Sequence, residues 1–221
     1  MKHLLSGIML LVTMTSLMIQ SAFADISVTV TNPGNTTPAM QTTYTSLASA
    51  LTDLNAVTAM TGPVILTLTG SETAPPTGFT IGSSTLNPVL SALNHVTLIN
   101  QTGGATILNA GTGTATPTSA VPDGILKIVG ADYITIDGLI FTDGNTTNPA
   151  TMEFGVGLFK ASLSDGARYD TVRNCTFNMQ RANFASGTSP MVEGSVAILV
   201  INSTPTAATT VLVPTAAAGS N

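Results

Sequence analysis

Asp137, Asp170 and Arg173 are the residues whose types and spacing come nearest to chemistry. Residues 133–141 read Tyr-Ile-Thr-Ile-Asp-Gly-Leu-Ile-Phe and residues 169–177 read Tyr-Asp-Thr-Val-Arg-Asn-Cys-Thr-Phe, two copies offset by 36 positions. If that offset is a stacking register, Asp137 lies beside Arg173 and Ile134 beside Asp170. A carboxylate and a guanidinium would then share one solvent face, where they could do acid–base work. The simpler outcome is a cross-layer ion pair, which contributes about 0–1 kcal/mol when exposed, and this is the expectation carried forward.

Other acidic residues offer less selection. Asp132, Asp137, Asp143, Glu153, Asp165 and Asp170 could supply two carboxylates at glycosidase separation, but nothing in their spacing singles out a pair. Asp143-Gly-Asn145 and Asp165-Gly166 could place oxygen ligands for Ca²⁺ at chain corners. Asp-Gly is first of all a turn dipeptide, so these are read as turns, with Ca²⁺ as the only cofactor considered. His95 is the only histidine after residue 24 and has no His or Cys near it in sequence, which argues against a transition-metal site. Cys175, the single cysteine, sits where Leu139 sits in the other copy and reads as a small core hydrophobe.

The elements that would position these residues are strands. Tyr133/Tyr169, Thr135/Thr171 and Phe141/Phe177 are identical between the copies, and Ile136/Val172 coincide as apolar positions, the mark of a stacked repeat. From residue 63 onward the strand-like runs sort into three columns. One holds 64–68, 125–129, 157–161 and 197–201; the next 96–100, 133–137 and 170–174; the last 105–109, 139–143 and 176–180. The second and third columns are joined by one or two residues, as at Asp137-Gly138-Leu139, too few for a matched hairpin, so the chain turns a corner there. Longer polar loops at 144–154 and 181–192 lead to the next layer. The fold class expected is all-β, a right-handed parallel β-helix with three strands per coil and an amphipathic N-terminal capping helix. A β-sandwich with antiparallel pairing is the alternative.

The helix spans 45–57, with Leu47, Ala50, Leu51 and Leu54 on one stripe and Thr45 or Ser46 as cap. Before it, residues 25–30 alternate as a short strand. Residues 1–24 read as a secretory signal peptide: Lys2 and His3, an apolar run over 4–19, and Ala22-Phe-Ala24 before the cut. The remaining organisation expected is 25–62 for strand and cap, 63–205 for coils, and 206–221 for a small, hydroxyl-rich, uncharged tail. With no second helix to close the stack, the chain reads as part of something longer.

Only 8% of residues are charged and six Lys and Arg face eleven Asp and Glu, a net charge of −5. That balance repels phosphate backbones and excludes nucleic acid as a partner class. No stretch after residue 24 is long and apolar enough to span a membrane as a helix.

The segments 44–55, 62–65, 95–100, 133–138 and 173–177 resemble the cap and first coils of pectate-lyase-like β-helix proteins. More narrowly, they are similar to the amino-terminal part of large secreted bacterial surface proteins carrying such helices. The resemblance covers about residues 40–205. It implies a secreted or surface-displayed module, structural or adhesive, touching polysaccharides or cell-surface glycans, and continued by further domains. Polysaccharide lyases of that fold use acidic Ca²⁺ ligands with an Arg base, which gives Asp137, Asp170 and Arg173 their other reading. The Asp-Asp, Gly-His-Gly and Arg-x-Pro-x-x-Arg marks of the enzymatic families are missing from this sequence. The alternative is therefore a lyase or glycoside hydrolase whose site is completed by downstream coils.

Overall fold

The structure, a computed structural model, describes residues 25–113, 123–144, 152–179 and 195–206. Residues 1–24, expected above to be a signal peptide, Asn145, most of the two long loops and residues 207–221 lie outside the described residues. In chain order the elements are β1 (Ser27–Thr31), β2 (Thr36–Thr37), β3 (Thr43–Tyr44), α1 (Leu47–Asn55), β4 (Ala59–Met60), β5 (Val64–Thr73), β6 (Phe79–Ile81), β7 (Val96–Asn100) and β8 (Thr106–Asn109). They continue with β9 (Gly124–Val129), β10 (Ile134–Asp137), β11 (Ile140–Thr142), β12 (Phe154–Ser162), β13 (Asp165–Gly166), β14 (Thr171–Arg173), β15 (Thr176–Asn178) and β16 (Val196–Val200).

The described residues are all-β with a single α-helix, and their sheets are mostly parallel. β5, β7, β10 and β14 pair in parallel so that Leu66, Leu98, Ile136 and Val172 stand in line. The second half of β5 pairs with β8, then β11, then β15, bringing Glu72, Leu108, Phe141 and Phe177 into line. β6, β9, β12 and β16 make a third parallel stack through Phe79, Leu126, Val156 and Ile198. Alternation explains the core: Ile134 and Ile136 are fully buried while Thr135 between them is half-exposed, as a period of two requires. The register expected from the 36-residue offset is the observed one, Thr135 opposite Thr171 and Phe141 opposite Phe177.

One strand assignment is corrected. Residues 64–68 were expected in line with 125–129, but they pair with β7, and it is Phe79–Ile81 that pairs with β9. β5 is a single ten-residue strand bent at Gly70, whose φ of 92° only glycine adopts without strain. Its polar second half, Gly70-Ser-Glu-Thr73, carries no apolar alternation and so does not read as a strand, although it hydrogen-bonds as one.

The first strands are covered on two sides. β1 runs antiparallel along β5, Val28 opposite Leu68, and β3 pairs with β1 in turn. α1 buries Leu47, Ala50, Leu51 and Leu54 against β6, β1 and β3. Ser46 caps it by accepting from the Ser49 N–H at 3.2 Å. At the other end, β14, β15 and β16 have no further parallel partner among the described residues, and Val196, Ile198 and Val200 are exposed.

Candidate functional site

The outward face of β10 and β14 brings two of the candidate residues together, Asp137 and Arg173. Because Ile134, Ile136 and Val172 point inward, alternation sends Thr135 and Asp137, and above them Thr171 and Arg173, to the outer side, while Tyr133 and Tyr169 stand at the corners that precede the two strands. Arg173 donates from Nε to Asp137 Oδ2 at 2.9 Å, its Nη2 lies 2.8 Å from the same oxygen, and Asn174 Nδ2 donates to Oδ1 at 2.8 Å. The Asn174 donor, with Arg173 behind it, holds the Asp137 carboxyl below the usual carboxylate range against the opposing effect of burial. A carboxylate engaged at both oxygens and harder to protonate than usual is poorly suited to proton donation. Arg173 remains largely exposed, so the pair works as a stitch between two strands.

Asp170 stands apart from that pair. Three residues of extended chain, roughly 10 Å, separate it from Arg173. Its Oδ1 accepts from the Ile134 N–H at 2.8 Å, while Oδ2 is buried with no hydrogen-bond partner. Burial pushes its pKa up to about 7, with the Ile134 N–H pulling the other way and Asp132 adding to the rise. Asp132 is itself paired, with Arg168 Nη2 at 3.0 Å and the Arg168 N–H at 2.9 Å.

Sequence reasoning missed the tyrosines as surface groups. Tyr133 and Tyr169 stack with ring centroids 4.8 Å apart and 17° between planes. Both hold left-handed backbone, φ 58° and 60°, uncommon for a bulky residue. At the next corner the same conformation is filled by Gly138 and Asn174, residue types suited to it. Their identity across the repeat was visible in the sequence, but their outward direction is set by the corner and had no signal there. Arg168 Cζ lies 6.0 Å from the Tyr169 ring centroid.

Of the Ca²⁺ candidates, Asp143 and Asp165 belong to different sheets and Asn145 lies outside the described residues. Asp143 follows β11 and donates its N–H to the Asn178 carbonyl, whereas Asp165 opens β13 on a different sheet and accepts from Asn87 Nδ2 at 3.1 Å. Among the described residues no three of His, Cys, Asp and Glu are grouped closely enough to hold a metal ion. Cys175 is half-buried, packs against the core and donates to the Arg173 carbonyl at 3.2 Å; burial pushes its thiol pKa up. No helix among the described residues is long and apolar enough to cross a membrane.

Compared with protein-family models, with curated proteins and with solved structures, the chain matches none.

Proposed function

We propose that the parallel stacks are successive coils of a right-handed β-helix with three strands each, resembling the pectate-lyase-like proteins, and that the chain is a secreted or surface-displayed structural and adhesive module. The reading gives it contact with polysaccharides or cell-surface glycans and no catalysis of its own. One observation carries it: the acidic and basic side chains on the repeat face neutralise one another across layers. Asp137 is paired with Arg173 and Asp132 with Arg168, so neither couple is free for acid–base work. Screening the secreted chain against acidic and neutral polysaccharides tests this. Binding without turnover is expected; turnover abolished by Arg173→Ala or Asp137→Ala overturns it.

A second reading is favoured by Asp170 alone. A buried carboxyl with a pKa of about 7 and an unpartnered oxygen has the properties of a general acid. It belongs to a lyase or hydrolase whose remaining groups come from further coils. Turnover lost specifically in Asp170→Asn supports that reading.

A further inference from the structure

The backbone at the exposed tyrosine stack does not call for an aromatic residue. The corner at 133 and 169 needs left-handed backbone, which glycine or asparagine supplies without strain, as they do at 138 and 174. Instead the chain places an aromatic ring there twice, at a conformational cost that persists where function or surroundings require it. Tyr133 covers one face of Tyr169 and Arg168 Cζ stands 6.0 Å from its centroid, yet Tyr169 is 67% exposed, so much of the ring still meets solvent.

Beside that ring, strand register lays down a row of groups at fixed intervals. Thr171 and Arg173 follow Tyr169 at two-residue steps of about 6.6 Å, and Thr135 lies directly opposite Thr171. The charges along the row are already paired, so the face has little net charge while keeping the Arg173 and Arg168 donors and the threonine hydroxyls. It also lacks the contiguous apolar centre that a protein interface needs.

We infer that the row Tyr169, Thr171 and Arg173, backed by Tyr133 and Thr135, is a binding subsite for a neutral polysaccharide, one ring of which seats its C–H face on Tyr169. This rests on the glycan contact proposed above and places that contact on a sheet face. A pyranose combines an apolar face with a rim of hydroxyls, matching an aromatic plate bordered by fixed donors and acceptors. An acidic polymer would need unpaired cations, and both arginines on this face are engaged.

The chain reports on the site directly. It has no Trp and three Tyr, one of which, Tyr44, is buried and donates its hydroxyl to Asp53, so ligand-induced changes in tyrosine emission come from the stack. The mature chain is titrated with fragments of β-glucan, mannan and xylan, and in a parallel arm with polygalacturonate fragments. Saturable emission change with at least one neutral class is expected. Tyr169→Gly should weaken it by tenfold or more while leaving the unfolding midpoint unchanged or slightly higher. Should that variant lose stability, Tyr169→Asn supplies the same test. Response to polygalacturonate alone, response to nothing, or undiminished binding by a folded Tyr169 variant overturns the inference. Failure here with the strand register intact contradicts the subsite only; a failed register removes the reading beneath it.

Discussion

Asp170 gives the residue scale its sharpest consequence. Its carboxyl has a pKa of about 7 in the folded chain, against about 3.9 for an unfolded aspartate. A carboxyl raised on folding is protonated in the folded state where the unfolded chain has already ionised. Its contribution is therefore fully present below about pH 4 and declines until about pH 7, a span worth on the order of a few kcal/mol. Asp137 works with the opposite sign, but its lowered pKa places its window below that of an ordinary carboxyl, so the two do not overlap. Denaturant unfolding at about pH 5 and about pH 8 should show the parent chain losing stability with rising pH and Asp170→Asn losing much less of it. Asparagine still presents an oxygen to the Ile134 N–H. Equal slopes in the two proteins would mean that Asp170 is solvated.

Lys160 is the other residue at odds with its surroundings. It is fully buried on β12 and its Nζ has no hydrogen-bond partner. A buried nitrogen held so costs stability, and Lys160→Met keeps most of the length of the side chain without it. The substitution should raise stability by about 1–3 kcal/mol, read as a higher denaturant midpoint with an unchanged slope. A lower midpoint would show that the amine has a partner in solution.

At the scale of elements, the junction between α1 and β5 turns on Glu72. Its position belongs to the line that Leu108, Phe141 and Phe177 continue, yet it is a carboxylate. The reason is the helix: Glu72 accepts from the Leu47 and Ala48 N–H groups and from the Ser46 hydroxyl, placing negative charge at the helix N-terminus. Asn55 ties down the other end, donating to the Thr80 carbonyl and accepting from the Gly82 N–H. Glu72→Gln should cost about 1–2 kcal/mol in thermal or denaturant unfolding, with helix and strand content otherwise preserved. A neutral result would separate the helix from the sheet energetically.

Much of this was legible because the physics is local. The i, i+3, i+4, i+7 stripe and a serine before it set α1 and its cap; alternation about Ile134 and Ile136 set the inner and outer faces of β10. What escaped notice depended on long-range partners. Nothing in Gly70-Ser-Glu-Thr73 tells of a strand until β8 lies beside it. Nor does Glu72 betray a helix cap twenty-odd residues upstream. The tyrosines at 133 and 169 were seen as a repeat, but their left-handed backbone and outward stack come from the corner geometry. Of the site, Asp137 with Arg173 followed from the offset; the separation of Asp143 from Asp165 needed the sheets.

For the whole molecule, the account stands on parallel stacking in a constant register. It places the ion pairs, the tyrosine stack and the Phe141–Phe177 pair, whose centroids are 5.0 Å apart with 8° between planes. Stacked parallel strands put identical side chains over one another at about 4.8 Å, so aromatic pairs and hydroxyl rows form ladders where the sequence repeats. The most direct test is a nuclear Overhauser spectrum of the isotope-labelled chain. Parallel register predicts contacts of Phe141 with Phe177, Tyr133 with Tyr169 and Asp137 with Arg173. Contacts of Tyr133 with Arg173 and of Asp137 with Tyr169 in their place, as antiparallel pairing about the same centre requires, would contradict it.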